Sequence, residues 1–567
     1  MSQREQRTVS LKDLVPGYAG IPDVPVTGVA LDSRLVQPGD VFMALRGTVV
    51  DGREYIDAAI ASGAAAVLAD GDQLESRERE GIQVVSVPGL AKRVGEIAAR
   101  FHGNPTEQMH LVGVTGTNGK TTCAYLTSQL LARHFGSAAL MGTIGNGIWA
   151  DGTIELQETG LTTPDPVRLQ ADYAAFRDRD VRAAAMEVSS HSLSQGRVHG
   201  LIFDTAIFTN LSRDHLDYHG NMAAYGAAKE KLFGLPKLKR GIINLDDPFG
   251  AQLAERCKLR NLKVITYGLQ AGDLHATDLR RHEGGFSVQL TTPWGSGELR
   301  APLIGDFNIH NALAVVAAAA SAGMPFEEIL AAFPTIVPVP GRMEPVKVGG
   351  EDEISVLVDY AHTPDALRAA LAAARPYCRG KLWCLFGCGG DRDTGKRAPM
   401  GRIASEMADH AIVTSDNPRS EDPQKIIDDI LEGAASNIEV EIDRAAAIAR
   451  AVTSAEPGDI VLIAGKGHED YQIIGREKIH FCDREQAAAA LKRRAAARAG
   501  EIKGSPSDQP TLCNNYRGAS AASWSTARCS SSACAPTPAR SIRRPCLSPL
   551  RRELRRPRFC TRVGKRR

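Results

Sequence analysis

Long apolar runs are missing from this chain of 567 residues. The longest Ala-rich apolar stretch, residues 313–320, falls well short of the roughly 20 residues that cross a bilayer. The chain starts with Met followed by four polar residues, Ser-Gln-Arg-Glu. These features argue against a membrane-spanning helix, so we expect a soluble cytoplasmic protein.

Paired cysteines are also missing from most of the chain. Six cysteines scatter through the first 500 residues without CxxC spacing, which argues against a disulfide framework and against a zinc site. We interpret them as reduced thiols: Cys123, Cys257, Cys378, Cys384, Cys388 and Cys482.

A strong overall charge is absent, since the formal net charge is +2, but the balance is uneven. Residues 501–567 hold 15 Lys or Arg against 3 Asp or Glu, and the first 500 hold 53 against 63. The body is therefore acidic and needs no nucleic-acid partner.

The end of the chain is rich in Ser, Pro, Arg and Cys without apolar periodicity, which predicts a disordered basic tail over 499–567. A shifted reading frame, a genuine extension, and a basic arm for RNA or anionic lipid remain open for it.

Three α/β segments precede this tail, as expected for a chain too long for one core. Short apolar runs at 26–31, 41–45, 64–68 and 84–87 predict a small domain over 1–107. Strands at 111–115, 183–188, 204–208 and 241–244 alternate with helices in a second domain over 108–339. A Pro-rich run at 337–341 predicts a linker. Strands at 354–358, 381–386, 410–414 and 460–463 predict a third domain over 340–498.

A phosphate-binding loop follows the strand at 111–115 and precedes a predicted helix at 123–135. Glycines let backbone N–H groups approach phosphates, the lysine adds charge, and a threonine hydroxyl reaches magnesium. The loop is shorter than the commonest P-loop, and a Gly-rich turn with a surface lysine is the alternative. We assign ATP binding to Gly116, Thr117, Asn118, Gly119, Lys120, Thr121 and Thr122.

This Gly-Thr-Asn-Gly-Lys-Thr-Thr segment resembles the ATP loop of the Mur ligases and folylpolyglutamate synthetases. The resemblance spans roughly residues 26–490 and is most similar to the MurE type, which adds meso-diaminopimelate to a nucleotide-linked peptidoglycan precursor. It implies three domains: one for the UDP precursor, a central P-loop ATPase domain, and a Rossmann-like domain for the amino acid. ATP and Mg²⁺ are the implied cofactors, and a monomer without a membrane partner is expected.

Charged residues at strand ends carry the implied catalysis, because transferring a phosphoryl group to a carboxylate requires cations to screen two anions. In the family the positions of Glu187 and His191 hold magnesium, and residues 208–220 resemble the segment before a carbamylated lysine, here Lys229. Taken alone, each residue would be interpreted as a solvated side chain. Thr121, Glu187, His191 and the Lys229 carbamate are the predicted metal ligands, with Lys120 as a further catalytic cation.

Other segments resemble the family's substrate contacts. Asn244 follows a strand and matches the adenine-side position, or is simply a polar strand end. Arg342 and Asp359 match residues that close over the phosphates and the ribose. The UDP-precursor residues implied by resemblance are Leu31, Ser33, Thr162, Thr163, Ser189, Gln195 and Arg197.

Residues 415–423, Ser-Asp-Asn-Pro-Arg-Ser-Glu-Asp-Pro, resemble the motif of ligases that select meso-diaminopimelate over lysine. Diaminopimelate carries an additional carboxylate, which a buried Arg419 would favour and which lysine lacks. A surface turn is the alternative. The implied diaminopimelate residues are Arg392, Asp416, Asn417, Pro418, Arg419, Gly465 and Glu469.

The resemblance therefore implies an ATP-dependent ligase that joins meso-diaminopimelate to the D-glutamate of UDP-N-acetylmuramoyl-L-alanyl-D-glutamate through an acyl phosphate. A ligase of the same fold that uses lysine or glutamate is the nearest alternative. A basic-tailed, ATP-gated nucleic-acid-binding protein is the alternative from another class.

Overall fold

The computed structural model describes residues 7–498 except 19, 48–49, 158–161, 283, 349–352 and 436–437. The tail predicted over 499–567 lies outside the described residues. The described chain forms three successive α/β segments, each built on its own main sheet.

The first segment is a five-stranded sheet in the order β3-β4-β5-β7-β6, preceded by a small pair, β1 and β2. All neighbours in the larger sheet are parallel except β6 and β7. The strands are β1 (Val9–Ser10), β2 (Pro25–Val26), β3 (Gly28–Ala30), β4 (Asp40–Ala44), β5 (Ala66–Gly71), β6 (Glu75–Arg79) and β7 (Ile82–Pro88). The helices are α1 (Leu11–Leu14), α2 (Ile56–Ala61) and α3 (Val94–Phe101).

The second segment is an eleven-stranded sheet with a parallel centre and antiparallel strands at both edges. Its order is β11-β10-β9-β12-β8-β13-β14-β15-β16-β17-β18. The strands are β8 (His110–Thr115), β9 (Ser137–Gly142), β10 (Gly145–Ala150), β11 (Thr153–Gln157), β12 (Ala183–Glu187), β13 (Thr205–Phe208), β14 (Arg240–Asn244), β15 (Lys263–Gly268), β16 (Leu274–His282), β17 (Gly285–Thr292) and β18 (Gly295–Ala301). The helices are α4 (Lys120–Phe135), α5 (Pro166–Arg177), α6 (Ser190–Ser194), α7 (Leu216–His219), α8 (Met222–Glu230), α9 (Pro248–Leu259), α10 (Phe307–Ser321) and α11 (Phe326–Ala332).

The third segment is a six-stranded sheet in the order β19-β20-β24-β21-β22-β23, parallel apart from the edge strand β19. Residues 337–341, predicted to be a linker, lead into it. The strands are β19 (Glu344–Val346), β20 (Ser355–Asp359), β21 (Leu382–Phe386), β22 (His410–Val413), β23 (Ile438–Val440), β24 (Ile460–Ala464), and the hairpin β25 (Tyr471–Ile474) and β26 (Glu477–His480). The helices are α12 (Pro364–Ala374), α13 (Arg397–Met407), α14 (Pro423–Leu431), α15 (Arg444–Ser454) and α16 (Asp483–Arg498).

Several helices begin at an Asp-Pro or Thr-Pro pair. The Asp or Thr side chain accepts from backbone N–H groups of the first turn, and Pro takes a position where no helical N–H is needed. These pairs start helices α5, α9, α12 and α14: Asp165-Pro166, Asp247-Pro248, Thr363-Pro364 and Asp422-Pro423.

Helix α10 explains the Ala-rich apolar run in the sequence. Residues 311–320 are all buried, and the helix packs beside α4 in the core of the second segment. A helix that is apolar on every side is typical of such a core position. Among the described residues, no helix is both long and apolar enough to span a membrane.

Candidate active site

The phosphate loop connects β8 to α4, at the carboxyl end of a strand that lies between two parallel neighbours, β12 and β13. Its glycines are required by close contacts: a Cβ on Gly116 would lie 1.8 Å from Thr209 Oγ1, and one on Gly119 would lie 2.5 Å from Asn311 Oδ1. Gly119 has φ +83°, where side chains are strained. The helix begins at Lys120 rather than at residue 123 as predicted, so Lys120 and Thr121 belong to its first turn.

The segment after β13 holds this loop in place. Thr117 N donates to Asn210 O at 2.8 Å, and Asn118 N donates to Asn210 Oδ1 at 2.9 Å. Thr209 Oγ1 donates to Asn118 O at 2.6 Å. The loop backbone is therefore fixed from a neighbouring strand end, as preorganised anion binding requires.

Two lysines meet at the beginning of the loop. Lys120 Nζ donates to Gly116 O at 3.0 Å, and Lys229 Nζ donates to the same oxygen at 2.7 Å. Lys229 is 1% exposed and lies over the Tyr225 ring. Burial, reinforced by the nearby Lys120 charge, lowers the pKa of Lys229 to about 6. Burial also lowers the pKa of Lys120. The predicted carbamylation site therefore presents a neutral amine near neutral pH.

Glu187 ends β12 beside the loop and is 1% exposed. Its carboxylate accepts from Thr121 Oγ1 at 3.0 Å, from Thr143 N at 2.7 Å and from Thr143 Oγ1 at 3.2 Å. All three donors are neutral. A buried carboxylate beside a helix-start threonine hydroxyl is an oxygen-donor pair that suits a hard cation such as Mg²⁺.

His191, on α6, stands among aromatic rings. Its ring centroid lies 4.2 Å from that of Tyr218, 4.9 Å from His215 and 5.5 Å from His219. Burial and the neighbouring imidazoles lower the pKa of His191, which favours the neutral, metal-binding form. The part of the chain that the structure describes contains no group of three or more His, Cys, Asp or Glu arranged for a metal.

The predicted muramoyl contacts adjoin Glu187. Thr163 Oγ1 donates to Glu187 O at 3.1 Å, and Arg197 donates to Thr163 O at 2.8 Å and to Gln195 Oε1 at 2.7 Å. Ser189 caps α6 by accepting from Ser192 N. Thr162 Oγ1 lies 3.1 Å from Thr143 Oγ1. Leu31 and Ser33 belong to the first segment, where both are partly buried just after β3.

Asn244, at the end of β14, is 6% exposed and uses its amide within the protein. Its Nδ2 donates to Thr209 O at 2.8 Å, and its Oδ1 accepts from Asp246 N at 3.0 Å. Each group keeps one further position, an N–H hydrogen on Nδ2 and a lone pair on Oδ1, for a contact with a purine.

The linker arginine lies against the third segment. Arg342 stacks over Tyr360, 4.7 Å from the ring centroid, and that ring lies 5.2 Å from His468. Asp359 accepts from Met343 N at 2.8 Å and from Ala361 N at 2.9 Å, and burial raises its pKa. The contacts connect the predicted ATP-side residues to the loop that holds Glu469.

A buried polar cluster joins the loops that follow β22 and β24. Lys466 is fully buried, 3.2 Å from Asn417 Oδ1, 3.3 Å from Glu469 Oε2 and 3.7 Å from Asp416 Oδ1. Asn417 Nδ2 donates to Glu469 at 3.0 Å. Close packing requires glycine at position 465, since a Cβ there would lie 2.7 Å from Asp416 Oδ2.

Arg419 is half-buried, not buried as expected, and it occupies a left-handed turn with φ +52°. It donates to Gly390 O at 2.8 Å, and its backbone pairs with the β25–β26 hairpin. Pro418 beside it is buried, and Arg392 is exposed. The structure thus brings residues 416–419 together with Glu469 and leaves the Arg392 side chain at the surface.

Sequence reasoning missed three contacts. The contacts of Thr143 with Glu187, of Asn311 with Gly119 and of Lys466 with Asn417 each join positions that are distant in sequence. Lys466 alone carried a signal, as a lysine between two glycines.

Family models match the three segments in order. They are described as Mur ligase family, catalytic domain (residues 25–102), Mur ligase middle domain (114–319) and Mur ligase, glutamate ligase domain (341–467). The chain belongs to the Mur ligase family.

Curated Mur ligases align along nearly their whole length. The UDP-N-acetylmuramoyl-L-alanyl-D-glutamate--2,6-diaminopimelate ligase of Synechococcus elongatus is 48% identical over 492 residues, which cover 85% of this chain and 97% of that protein. A solved structure of an enzyme with the same name is 36% identical, covers 86% of this chain and 99% of its own, and has a TM-score of 0.67.

A more distant Mur ligase shares the fold. The MurF ligase from Thermotoga maritima, solved in complex with ADP, is 18% identical, covers 83% of this chain and 98% of its own, and has a TM-score of 0.55. The three-segment α/β architecture is therefore common to Mur ligases of low sequence identity.

Proposed function

We propose that this chain is an ATP-dependent ligase that joins meso-diaminopimelate to the D-glutamate of UDP-N-acetylmuramoyl-L-alanyl-D-glutamate in peptidoglycan precursor synthesis. Relatives named for this reaction support the proposal at 48% identity.

One chain of contacts carries the proposal. Thr121 of the phosphate loop bonds the Glu187 carboxylate, Glu187 O accepts from Thr163, and Thr163 O accepts from Arg197. The residues expected to hold ATP and those expected to hold the reacting carboxylate are thereby joined through one buried glutamate. Phosphoryl transfer to a carboxylate requires such proximity.

The reaction proceeds in two displacements. The D-glutamate γ-carboxylate attacks the γ-phosphorus of ATP and expels ADP, which gives an acyl phosphate. The amine of diaminopimelate then attacks the acyl carbon, phosphate leaves, and the nitrogen loses a proton. Lys120 and the loop N–H groups stabilise negative charge during transfer, so catalysis is mainly positioning and electrostatics.

Thr121, Glu187, His191 and carbamylated Lys229 are proposed to hold Mg²⁺. The fit rests on the buried Glu187 carboxylate, whose hydrogen bonds come from neutral donors. When bound, the ion would screen the repulsion between phosphate and carboxylate.

Lys229 is proposed to react with carbon dioxide. A carbamate forms only on the neutral amine, and the pKa of about 6 leaves that amine neutral at pH 7. Carbamylation replaces a cation by an anion where two lysines otherwise share one carbonyl oxygen.

Diaminopimelate is proposed to bind between residues 387–393 and 415–423. Asn417, Arg419, Gly465 and Glu469 would hold its distal amino and carboxyl groups, with Asp416 and Pro418 shaping the pocket. The planar Arg419 fork suits a carboxylate. Arg392 is exposed, so its predicted contact requires the side chain to turn inward.

The remaining substrate contacts follow the family resemblance. Leu31 and Ser33 are proposed to hold the uridine nucleotide, and Thr162, Ser189 and Gln195 the muramoyl peptide. Gly116 to Thr122, Asn244, Arg342 and Asp359 are proposed for ATP. We place the reaction in the cytoplasm, since the cysteines of the described residues are free, as in a reducing compartment. A monomeric enzyme is proposed from the family resemblance alone.

Phosphate release by the purified chain tests the proposal. The assay contains ATP, Mg²⁺ and the UDP-muramoyl dipeptide, with either meso-diaminopimelate or L-lysine, and the product is identified by mass. We expect turnover with diaminopimelate and little with lysine. Preference for lysine would overturn the amino-acid assignment, and no turnover by folded protein with either would overturn the ligase assignment.

A further inference from the structure

We propose that Arg397 is a positioning residue that sets the preference for diaminopimelate by locking together residues 387–393, the glycine loop, and residues 415–423, the arginine loop. This inference rests on the proposed function. Arg397 does not contact the expected position of the substrate. It acts through the two loops that carry the predicted contacts.

Arg397 is 1% exposed and reaches three partners. One guanidinium nitrogen donates to Asp429 Oδ2 on α14 at 2.7 Å. The other donates to Glu421 Oε1 of the arginine loop at 2.9 Å and, at 3.4 Å, to Gly389 O of the glycine loop. A planar fork reaches these separate acceptors at once, whereas an ammonium is a point charge.

The position of Arg397 in α13 indicates a tertiary role. It is the first residue of that helix, where the macrodipole favours anions and disfavours a cation. Burying a charge is also unfavourable unless it is paired. Helix stability therefore does not explain an arginine here, whereas the contacts to both loops do.

The loops are joined next to this arginine by reciprocal hydrogen bonds. Gly390 N donates to Asn417 O at 2.9 Å, and Arg419 donates to Gly390 O at 2.8 Å. Ser420 Oγ donates to Asp391 Oδ1 at 2.7 Å. Close packing admits no Cβ at Gly390, which would lie 2.0 Å from Pro418 O.

Glu421 transmits the effect of Arg397. The Glu421 oxygen that accepts from Arg397 also accepts from Asp391 N, so one carboxylate fixes the turn of the opposite loop. Asp391 and Arg419 both adopt left-handed backbone, with φ of 54° and 52°. Non-glycine residues hold such conformations only when their surroundings fix them. Loss of the Arg397 fork should therefore release Arg419 from its carboxylate-binding position.

Arg397→Lys and Glu421→Gln test the inference, with Asp429→Asn as the matched control. Asp429, on α14, pairs with one nitrogen of the Arg397 guanidinium, whereas the other nitrogen contacts both loops. Asp429→Asn should therefore lower thermal stability without altering amino-acid binding. We expect Arg397→Lys and Glu421→Gln to raise the KM for diaminopimelate about tenfold and to reduce the preference over lysine. The KM values for ATP and for the UDP precursor should stay within about twofold.

Three results would overturn the inference: an unchanged diaminopimelate KM in folded Arg397→Lys, an equal rise in Asp429→Asn, or parallel rises in all three substrate KM values. Should Arg397→Lys fail to fold, Glu421→Gln carries the test alone. Absence of diaminopimelate turnover in the unmodified protein would instead refute the proposed function.

Discussion

Lys120 and Lys229 donate to the same carbonyl oxygen, that of Gly116, at 3.0 and 2.7 Å. Burial imposes a desolvation cost on each charge, and two ammonium groups at one acceptor also repel. The pKa of Lys229 falls to about 6 as a result, and the pKa of Lys120 is lowered as well. At neutral pH the phosphate loop therefore has a nucleophilic amine beside it at Lys229.

Replacement of Lys229 should abolish most of the ligase activity. We expect Lys229→Ala to lower kcat by about 100-fold or more, because neither a carbamate nor a metal ligand can form there. Added acetate or formate should restore part of the phosphate release by supplying a carboxylate. Lys231→Ala is the control. Lys231 is exposed and lies two residues away, so its replacement should leave kcat unchanged. Full activity of Lys229→Ala would contradict the carbamate proposal.

The same lysine makes stability depend on pH in a defined window. In the unfolded chain its pKa is near 10.5, against about 6 in the fold. Between these pH values the unfolded state binds more protons than the folded state. Lys229 therefore destabilises the fold fully below about pH 6, and this effect fades as pH rises towards 10.5. In buffers free of carbon dioxide, Lys229→Met should therefore raise the thermal midpoint more at pH 6 than at pH 10. Equal gains in the thermal midpoint at both pH values would show that the pKa of Lys229 is not lowered in the folded state.

The parts predicted from sequence were those with local signals. Strand β8 is buried along residues 111–115 and the phosphate loop follows it directly, so both were predicted. Strand β6, Glu-Ser-Arg-Glu-Arg, is exposed throughout, and β16 ends in an exposed Arg-Arg-His run. Neither shows apolar periodicity, so the antiparallel edges of the sheets were not predicted.

Contacts between distant residues were beyond sequence reasoning. The meeting of Glu187 with Thr121 and Thr143 depends on the strand order β9-β12-β8, which no local pattern encodes. The backbone contact of Arg419 with the β25–β26 hairpin likewise joins segments that are far apart in sequence. The residue types of the site were therefore predictable, and their mutual geometry was not.

Arg419 is expected to govern recognition of the additional carboxylate. Arg419→Ala should raise the KM for diaminopimelate by about 10- to 100-fold and leave the KM for ATP unchanged, because a charged hydrogen bond is lost. Arg419→Gly separates side chain from backbone, since glycine adopts φ +52° freely. Equal losses in both variants would assign the effect to the guanidinium. If both variants still prefer diaminopimelate over lysine, Arg419 does not determine this specificity.

Gly119 and Gly136 offer a matched pair at the two ends of α4. Both have strongly positive φ, 83° and 87°, so alanine strains the backbone at either position, by at least about 1 kcal/mol. A Cβ at Gly119 would also lie 2.5 Å from Asn311 Oδ1, whereas one at Gly136 meets nothing within 4 Å. We expect Gly119→Ala to raise the KM for ATP at least about tenfold, and Gly136→Ala to lower stability with ATP binding intact. Titration of ATP against both folded variants measures this difference, and similar KM values would mean that the close approach of the loop to Asn311 has no part in ATP binding.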